Sequence, residues 1–523
     1  MLERRVITEG KNRSRGHGLK GGVGLLPAQA LCQQARIACL LLFACAPMAA
    51  TGADDAMGPE DEGCMVLVAG ELDDHGQAVF PDDQARVEDL LSAMHGLSLT
   101  AAMARESELA HPAYRPDLAE EPRRLQAETW LELLGTLMGA ADTEGAAPRP
   151  QWALDTQAGP EPIGDPRMRD LSHAVYLYHM HHRGGRFEAL GLDQAIHFQG
   201  AGALAVLTQG LLGSLDDGGE FIGPDGRERM SHGLAAFHAP VYAWVRWQKD
   251  EGGDDMGSIS QDRLSDLLGI NPEGLVNHAR SFAGALDDAW DENRQAYVFG
   301  DKPANYSLVD LGALLRGHKG LYEALARFGN DDDRALSQEL FERQAMMLDA
   351  VLELVRPWGL PAAVTFDENG ARAAEDAVDT AAQWRFVNDL TGGFALAREQ
   401  GGPAWLANEA PELRIALGEA MDKLLLGALE YQLVDGLIVE KIDYPTGDIV
   451  EPRPASHPIG SFVTAAGNAY PTGDAFSAPG DWDGGEVEAN TRALFDAMLE
   501  GSDALIERFI VPYCEVRRGG HNT

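Results

Sequence analysis

Histidine and aspartate recur at one level of successive apolar segments in this 523-residue chain. Aligned on their C-terminal ends, HAVYLYHMHHRGG, HAPVYAWVRWQK, HKGLYEALARFG and DLTGGFALAREQG begin with His173, His238, His318 and Asp389, and His95 of an earlier segment falls near the same level. Three imidazoles and a carboxylate form a first shell that zinc, copper or iron accepts, so His173, His238, His318 and Asp389 are candidate metal ligands. The same residues suit proton transfer, because imidazole titrates near neutrality. Tyr176, Tyr242 and Tyr322 follow the three histidines by three or four residues. The competing reading is structural: a buried histidine bonds a carbonyl and does nothing else. His179 and His182 in the run HMHH share a helix face and fit either a copper site or a solvated helix end beside Gly184 and Gly185.

A second set consists of carboxylates and aromatics near the starts of those segments. Asp310 (YSLVDLG), Asp376 and Asp379 (EDAVDTAAQW) and Asp443 (EKIDYPTGD) are placed for proton transfer to a glycosidic oxygen. Trp290, Tyr297, Tyr306, Trp358, Tyr444, Tyr470 and Trp482 lie in the intervening loops, where aromatic faces match the apolar faces of sugar rings. His232 and His457 sit at loop-to-helix junctions, where they cap or bind substrate. The plain alternative is strong here too: aspartate is a common helix cap, and with 82 acidic residues most carboxylates only solvate the surface. No P-loop, GxSxG, HExxH or CxxC occurs, so no motif fixes a reaction.

The elements that carry these residues repeat. Each unit pairs a mostly apolar helix with an amphipathic one and ends in a glycine-bearing loop with a short β-like run. The pairs are Ala85–Glu106 with Pro122–Ala141, Asp170–Arg183 with Leu192–Leu215, His232–Gln248 with Pro272–Asp291, Leu308–Phe328 with Asp333–Val355, Asp379–Glu399 with Pro411–Leu433, and Ile459–Asn468 with Glu488–Val511. SHGLAAFHAPVYAWVRW is apolar nearly all round, as a helix buried on every side must be. ALSQELFERQAMMLDAVLELV keeps one wet face, as an outer helix must.

Six hairpins with an apolar inner and an amphipathic outer ring resemble the all-α (α/α)6 toroid of glycoside hydrolases, polysaccharide lyases and sugar epimerases. The resemblance spans residues 85–512. It implies a carbohydrate-active enzyme, hydrolase or lyase, with its cleft where the loops meet the inner-helix starts. It also implies catalytic roles for Asp310, Asp379, His238, His318 and Tyr242, since some lyases of this fold use histidine and tyrosine in this way. Trp290, Tyr306, Trp358, His232 and His457 would then contact substrate. The alternatives are a metalloprotein, holding a transition metal on the inner-helix histidines, and a scaffold without chemistry.

Residues 1–53 read as an export signal. Basic residues precede the apolar run Ile37–Ala46, which is followed by small residues. Cleavage near Ala50–Ala53 would release the chain to the periplasm or the exterior, and the box Leu42–Cys45 would instead lipidate Cys45. Residues 54–84 read as a linker and 513–523 as a tail. No later segment reaches the ~20 apolar residues a bilayer span needs. The net charge of −40 argues against nucleic acid, itself a polyanion. Past residue 53 only Cys64 and Cys514 remain, and they fit either a disulfide joining the two ends or two separate thiols.

Overall fold

The computed structural model describes residues 65–103 except 74, and 120–139, 141–142, 149–150, 153–157, 161–164, 167, 169–170, 172–174, 226–249, 261–299, 304–394, 411–469 and 484–512. Residues 1–64 lie outside the described residues. The described part is predominantly helical. In chain order the helices are α1 (Val87–Met103), α2 (Glu120–Gly139), α3 (Gly226–Lys249), α4 (Gln261–Leu268), α5 (Pro272–Ala289), α6 (Leu308–Phe328), α7 (Asp331–Leu352), α8 (Thr380–Phe394), α9 (Pro411–Tyr431), α10 (Ser456–Ala469) and α11 (Gly484–Ala504). Residues 169–170 and 172–174 are also helical. The remainder of the second hairpin, with Tyr176, His179 and His182, lies outside the described residues.

Local chemistry explains several helix starts. Pro272 opens α5, where its missing N–H is no loss, and Asn271 accepts from Gly274 N at 2.8 Å. Asn330 and Asp333 form a reciprocal capping box at α7. Ser307 caps α6 by accepting from Asp310 N at 3.1 Å.

The two helix types separate as the patterning requires. α3 packs on α6, α6 on α8, α8 on α10, and α10 on α1, so the last apolar helix returns to the first. The amphipathic α2 covers α1, α5 and α7 cover α6, and α11 covers α10. Along α6, residues Leu311 to Leu325 are buried without a break, polar ones included. Two glycines permit this crowding: a Cβ on Gly317 of α6 would overlap Leu234 of α3, and one on Gly460 of α10 would sit 2.6 Å from the Ser92 backbone of α1.

Three expectations change. First, residues 65–84 are no linker. Val66–Val68 pairs antiparallel with Ile510–Pro512, Val66 opposite Pro512, and Leu67, Val68 and Leu72 are buried, so this stretch is part of the core. Second, α3 begins at Gly226, which puts His232 inside the helix instead of at its junction. Third, α4 is an additional helix, anchored by buried Leu264 and Leu268. The β-like runs in the loops are real: Ala363–Asp367 joins Ala304–Ser307 and Gly370–Ala373, and Leu437–Asp443 joins Ala377–Asp379 and Ile449–Pro454. Among the described residues, no helix is long and apolar enough to cross a membrane.

Candidate active site

The starts of the inner helices bring titratable side chains within reach of one another. α1 contributes Glu88 and Asp89 in its first turn. Residues 169–170 contribute Arg169 and Asp170. α3 supplies His232, α6 supplies Asp310, Asp379 caps α8 through Ala382 N at 2.9 Å, and His457 lies in the first turn of α10. Arg169 bonds the Glu88 carboxylate. His232 Nε2 and Asp310 Oδ1 are 2.9 Å apart, which joins α3 to α6. Ser92 Oγ of α1 donates to His457 O at 2.9 Å and lies 3.1 Å from Ser461 Oγ, which joins α1 to α10.

These neighbours push the carboxylates in opposite directions. Burial lifts the Asp310 pKa, but the His232 hydrogen bond and charge, the Ser307 bond and Arg169 outweigh it, and the pKa falls below its ordinary value. Burial likewise opposes Arg169, His457, Arg167 and Arg86 at Glu88, and the cations win. Asp89 goes the other way. Burial, reinforced by Glu88, Asp170 and Glu440 against Arg86 alone, pushes it up to about 8, so it is protonated at neutral pH. Asp170 is also raised, by burial and by Glu88, against Arg169, Arg167 and His232. His457 is lowered by burial, with Arg169 and Arg385 adding to that and Glu88 and Asp379 opposing it.

A second polar tier lies deeper. His95 Nδ1 and His173 Nε2 are 3.3 Å apart and both rings are buried. Burial, then Arg385, His95, Arg316 and His457, keep His173 well below its ordinary pKa. Asn388 Nδ2 donates to Ser461 O at 3.1 Å, and Arg316 donates to Asp389 at 2.6 Å.

The proposed metal shell is not assembled. Among the described residues, no group of three or more His, Cys, Asp or Glu is placed to hold a metal ion. Asp389 is taken by Arg316 and Arg385, and a cation beside two guanidiniums would be repelled. His318 is occupied at both nitrogens: Nδ1–H donates to Leu314 O at 2.8 Å, and Nε2 accepts from Tyr297 OH at 2.8 Å. Burial, added to by Arg343 and partly offset by the Leu314 bond, lowers its pKa to about 4. His238 is buried against Gly320 and packs beside Tyr242 at 5.7 Å between ring centroids. His238 and Tyr242 therefore belong to the packing between α3 and α6, and His318 to the packing of α6 against Tyr297, all well past the helix starts.

The aromatics are structural as well. Tyr306 is fully buried and donates to Tyr297 O. Trp290 is half-buried, with the Arg343 guanidinium 5.2 Å above its ring. Trp358 donates Nε1 to Tyr444 O at 2.8 Å and packs over Gly447. Asp443 closes a turn by accepting from Thr446 N at 2.9 Å, and exposed Asp376 bonds Tyr444 N through its backbone. Tyr470, Trp482, Cys45, Cys64 and Cys514 lie outside the described residues.

Of the polar residues gathered near these helix starts, the sequence singled out His232, Asp310, Asp379 and His457 and passed over Glu88, Asp89, Arg169, Asp170 and Arg385. A signal for Arg385 was present: it is a lone cation inside the apolar run TAAQWRFVNDL.

No protein-family model matches the chain, and no curated protein does. Among solved structures, the chain aligns with a sugar epimerase from a ruminal bacterium at 12% identity and a TM-score of 0.44, over 84% of this chain and 94% of that one. It aligns with a D-mannose isomerase at 12% identity and a TM-score of 0.43, over 85% and 96%. A reducing-end-xylose releasing exo-oligoxylanase aligns at 13% identity and a TM-score of 0.30, over 92% and 95%.

Proposed function

We propose that this protein is a carbohydrate-active enzyme, a glycoside hydrolase or a polysaccharide lyase, with its site at the inner-helix starts of a six-hairpin (α/α)6 toroid. The return of α10 onto α1 supports a closed ring.

The observation that carries the reading is the His232–Asp310 pair at 2.9 Å. When Asp310 is ionised, it accepts from His232 Nε2–H and leaves Nδ1 with a lone pair. This arrangement orients an imidazole as a general base and stabilises the imidazolium that forms. Asp89, protonated at neutrality, can supply a proton to a leaving oxygen. Groups whose environments drive their pKa values apart divide into acid and base in this way. In a hydrolase, the base activates water while the acid protonates the glycosidic oxygen. In a lyase, the imidazole removes a carbon-bound proton and the acid again serves the leaving group.

The test is a glycan panel read for new reducing ends and for absorbance of an unsaturated product. Asp310→Asn and His232→Gln should each lower kcat by roughly 10²–10⁴-fold, the usual contribution of a positioned acid or base. Silence of the wild-type protein across neutral and acidic glycans would leave a scaffold and end the enzymatic reading. Export rests on residues 1–53 alone, and N-terminal sequencing of protein from the producing cells checks it.

A further inference from the structure

Beneath the mouth, two guanidiniums share one carboxylate. Asp389 Oδ1 accepts from Arg316 Nη1 at 2.6 Å, and Oδ2 accepts from Arg385 Nε at 3.4 Å. Arg316 also donates Nη2 to Ser172 Oγ at 3.0 Å. Both oxygens of Asp389 are thus engaged, and the cluster keeps one positive charge in excess. Arg316 and Asp389 are each 1% exposed, so that pair is closed.

Arg385 is different. It is 8% exposed, its single bond is the longer one, and it uses only Nε. Among the described residues, its Nη1 and Nη2 have no hydrogen-bond partner. The Arg385 charge reaches His173, His457 and Arg169, so the guanidinium stands between the buried tier and the mouth. An unbalanced buried charge with open donors is costly, and polar groups at such depth are normally paired. A guanidinium fork presenting two N–H groups matches a planar or tetrahedral oxyanion better than any neutral hydroxyl.

We infer that Arg385 binds an anionic group of the substrate, a carboxylate or phosphate carried by the sugar, at the floor of the mouth. The anion half stands on the Arg316–Asp389–Arg385 cluster. The sugar half rests on the function proposed above. A bound anion would complete the charge balance and offset the Arg385 charge that adds to the lowering of His173 and His457.

Calorimetry on the full chain with glucuronate, glucose 6-phosphate, glucose and inorganic phosphate tests this. The expected result is that glucuronate or glucose 6-phosphate binds at least tenfold more tightly than glucose, and which of the two wins tells carboxylate from phosphate. Arg385→Met should erase that preference. It should also fold, as checked by circular dichroism, because Arg316–Asp389 remains a balanced pair. Arg385→Lys keeps the charge and loses the fork, and should weaken the anion at least threefold while leaving glucose unchanged. Equal binding of glucose and the anions, a preference that survives both substitutions, or no binding of any anion overturns the inference. Arg385-dependent binding of inorganic phosphate, with all three sugars silent, supports the anion site and removes the carbohydrate reading instead.

Discussion

Replacing Asp89 by Asn changes one atom and removes one titration. The Asp89 carboxyl is held protonated up to about pH 8, whereas an aspartate in the unfolded chain loses its proton near 3.8. Between those values the folded protein binds a proton that the unfolded chain has released. Stability is therefore greatest below 3.8 and falls as pH rises, until the folded-state value is reached. Each unit in that window costs about 1.4 kcal/mol, so this group alone removes about 3 kcal/mol between pH 5.5 and 7.5. Asn keeps the size and shape, offers a donor as the protonated acid does, and carries no charge at any pH. Asp422, pushed up to about 7 by burial and Glu419, titrates in the same range but is common to both proteins and cancels in the comparison. Urea unfolding of wild type and Asp89→Asn at both pH values should show a gap that widens by about 3 kcal/mol in favour of the variant at pH 7.5. A gap that stays constant means that Asp89 is ionised in the folded state. Its role as the acid would fall with that result.

Four further outcomes follow. Gly317→Ala should cost about 1–3 kcal/mol in chemical denaturation, because the new methyl overlaps Leu234 across the α3–α6 contact. Tyr297→Phe should cost about 1–3 kcal/mol by leaving His318 Nε2 without a donor, with kcat unchanged, since that pair is packing and not chemistry. Cys64 and Cys514, the two cysteines past residue 53, are proposed to join in a disulfide. Protein from an oxidising compartment should then gain two daltons on reduction and lose up to about 6 kcal/mol of stability, the chain-entropy ceiling for so long a loop. His173→Phe should remove a polar contact with His95 and leave any zinc, copper or iron at the wild-type level in elemental analysis.

The alternation of buried and half-wet helices was legible because it depends on patterning. An inner helix such as α6 cannot hide its burial, and Pro272, Asn330 and Ser307 mark their helix starts by type alone. The level of the site was harder to read. Aligning apolar segments by their C-terminal ends placed His238, His318 and Asp389 at their heads, but α3 begins at Gly226 and α6 at Leu308. The true first turns carry Glu88, Asp89, Asp310 and His457, and the aligned histidines fall deeper, where Leu314 O and Tyr297 OH occupy His318. Periodicity fixes which face is buried. It does not say how far along the axis the buried face stops being core and becomes site.

That axial position has a physical origin. In the site proposed above, α1, α6, α8 and α10 meet the substrate with their N-termini, and each N-terminus carries roughly half a positive charge and N–H groups without a partner inside the helix. Anions gathered there are favoured as they would not be at the other ends, which explains why Glu88, Asp310 and Asp379 all occupy first-turn or capping positions. The same field would favour an anionic ligand, yet the mouth is already lined with carboxylates and the whole chain carries −40. A substrate anion would be repelled at long range, so its capture must come from short-range pairing to Arg385 and not from steering. Added salt should then speed association by screening the chain's net charge, while the bond to a buried guanidinium changes little. An on-rate that falls steeply as salt rises would instead place the attracting charge on the surface, away from the cluster beneath the helix starts.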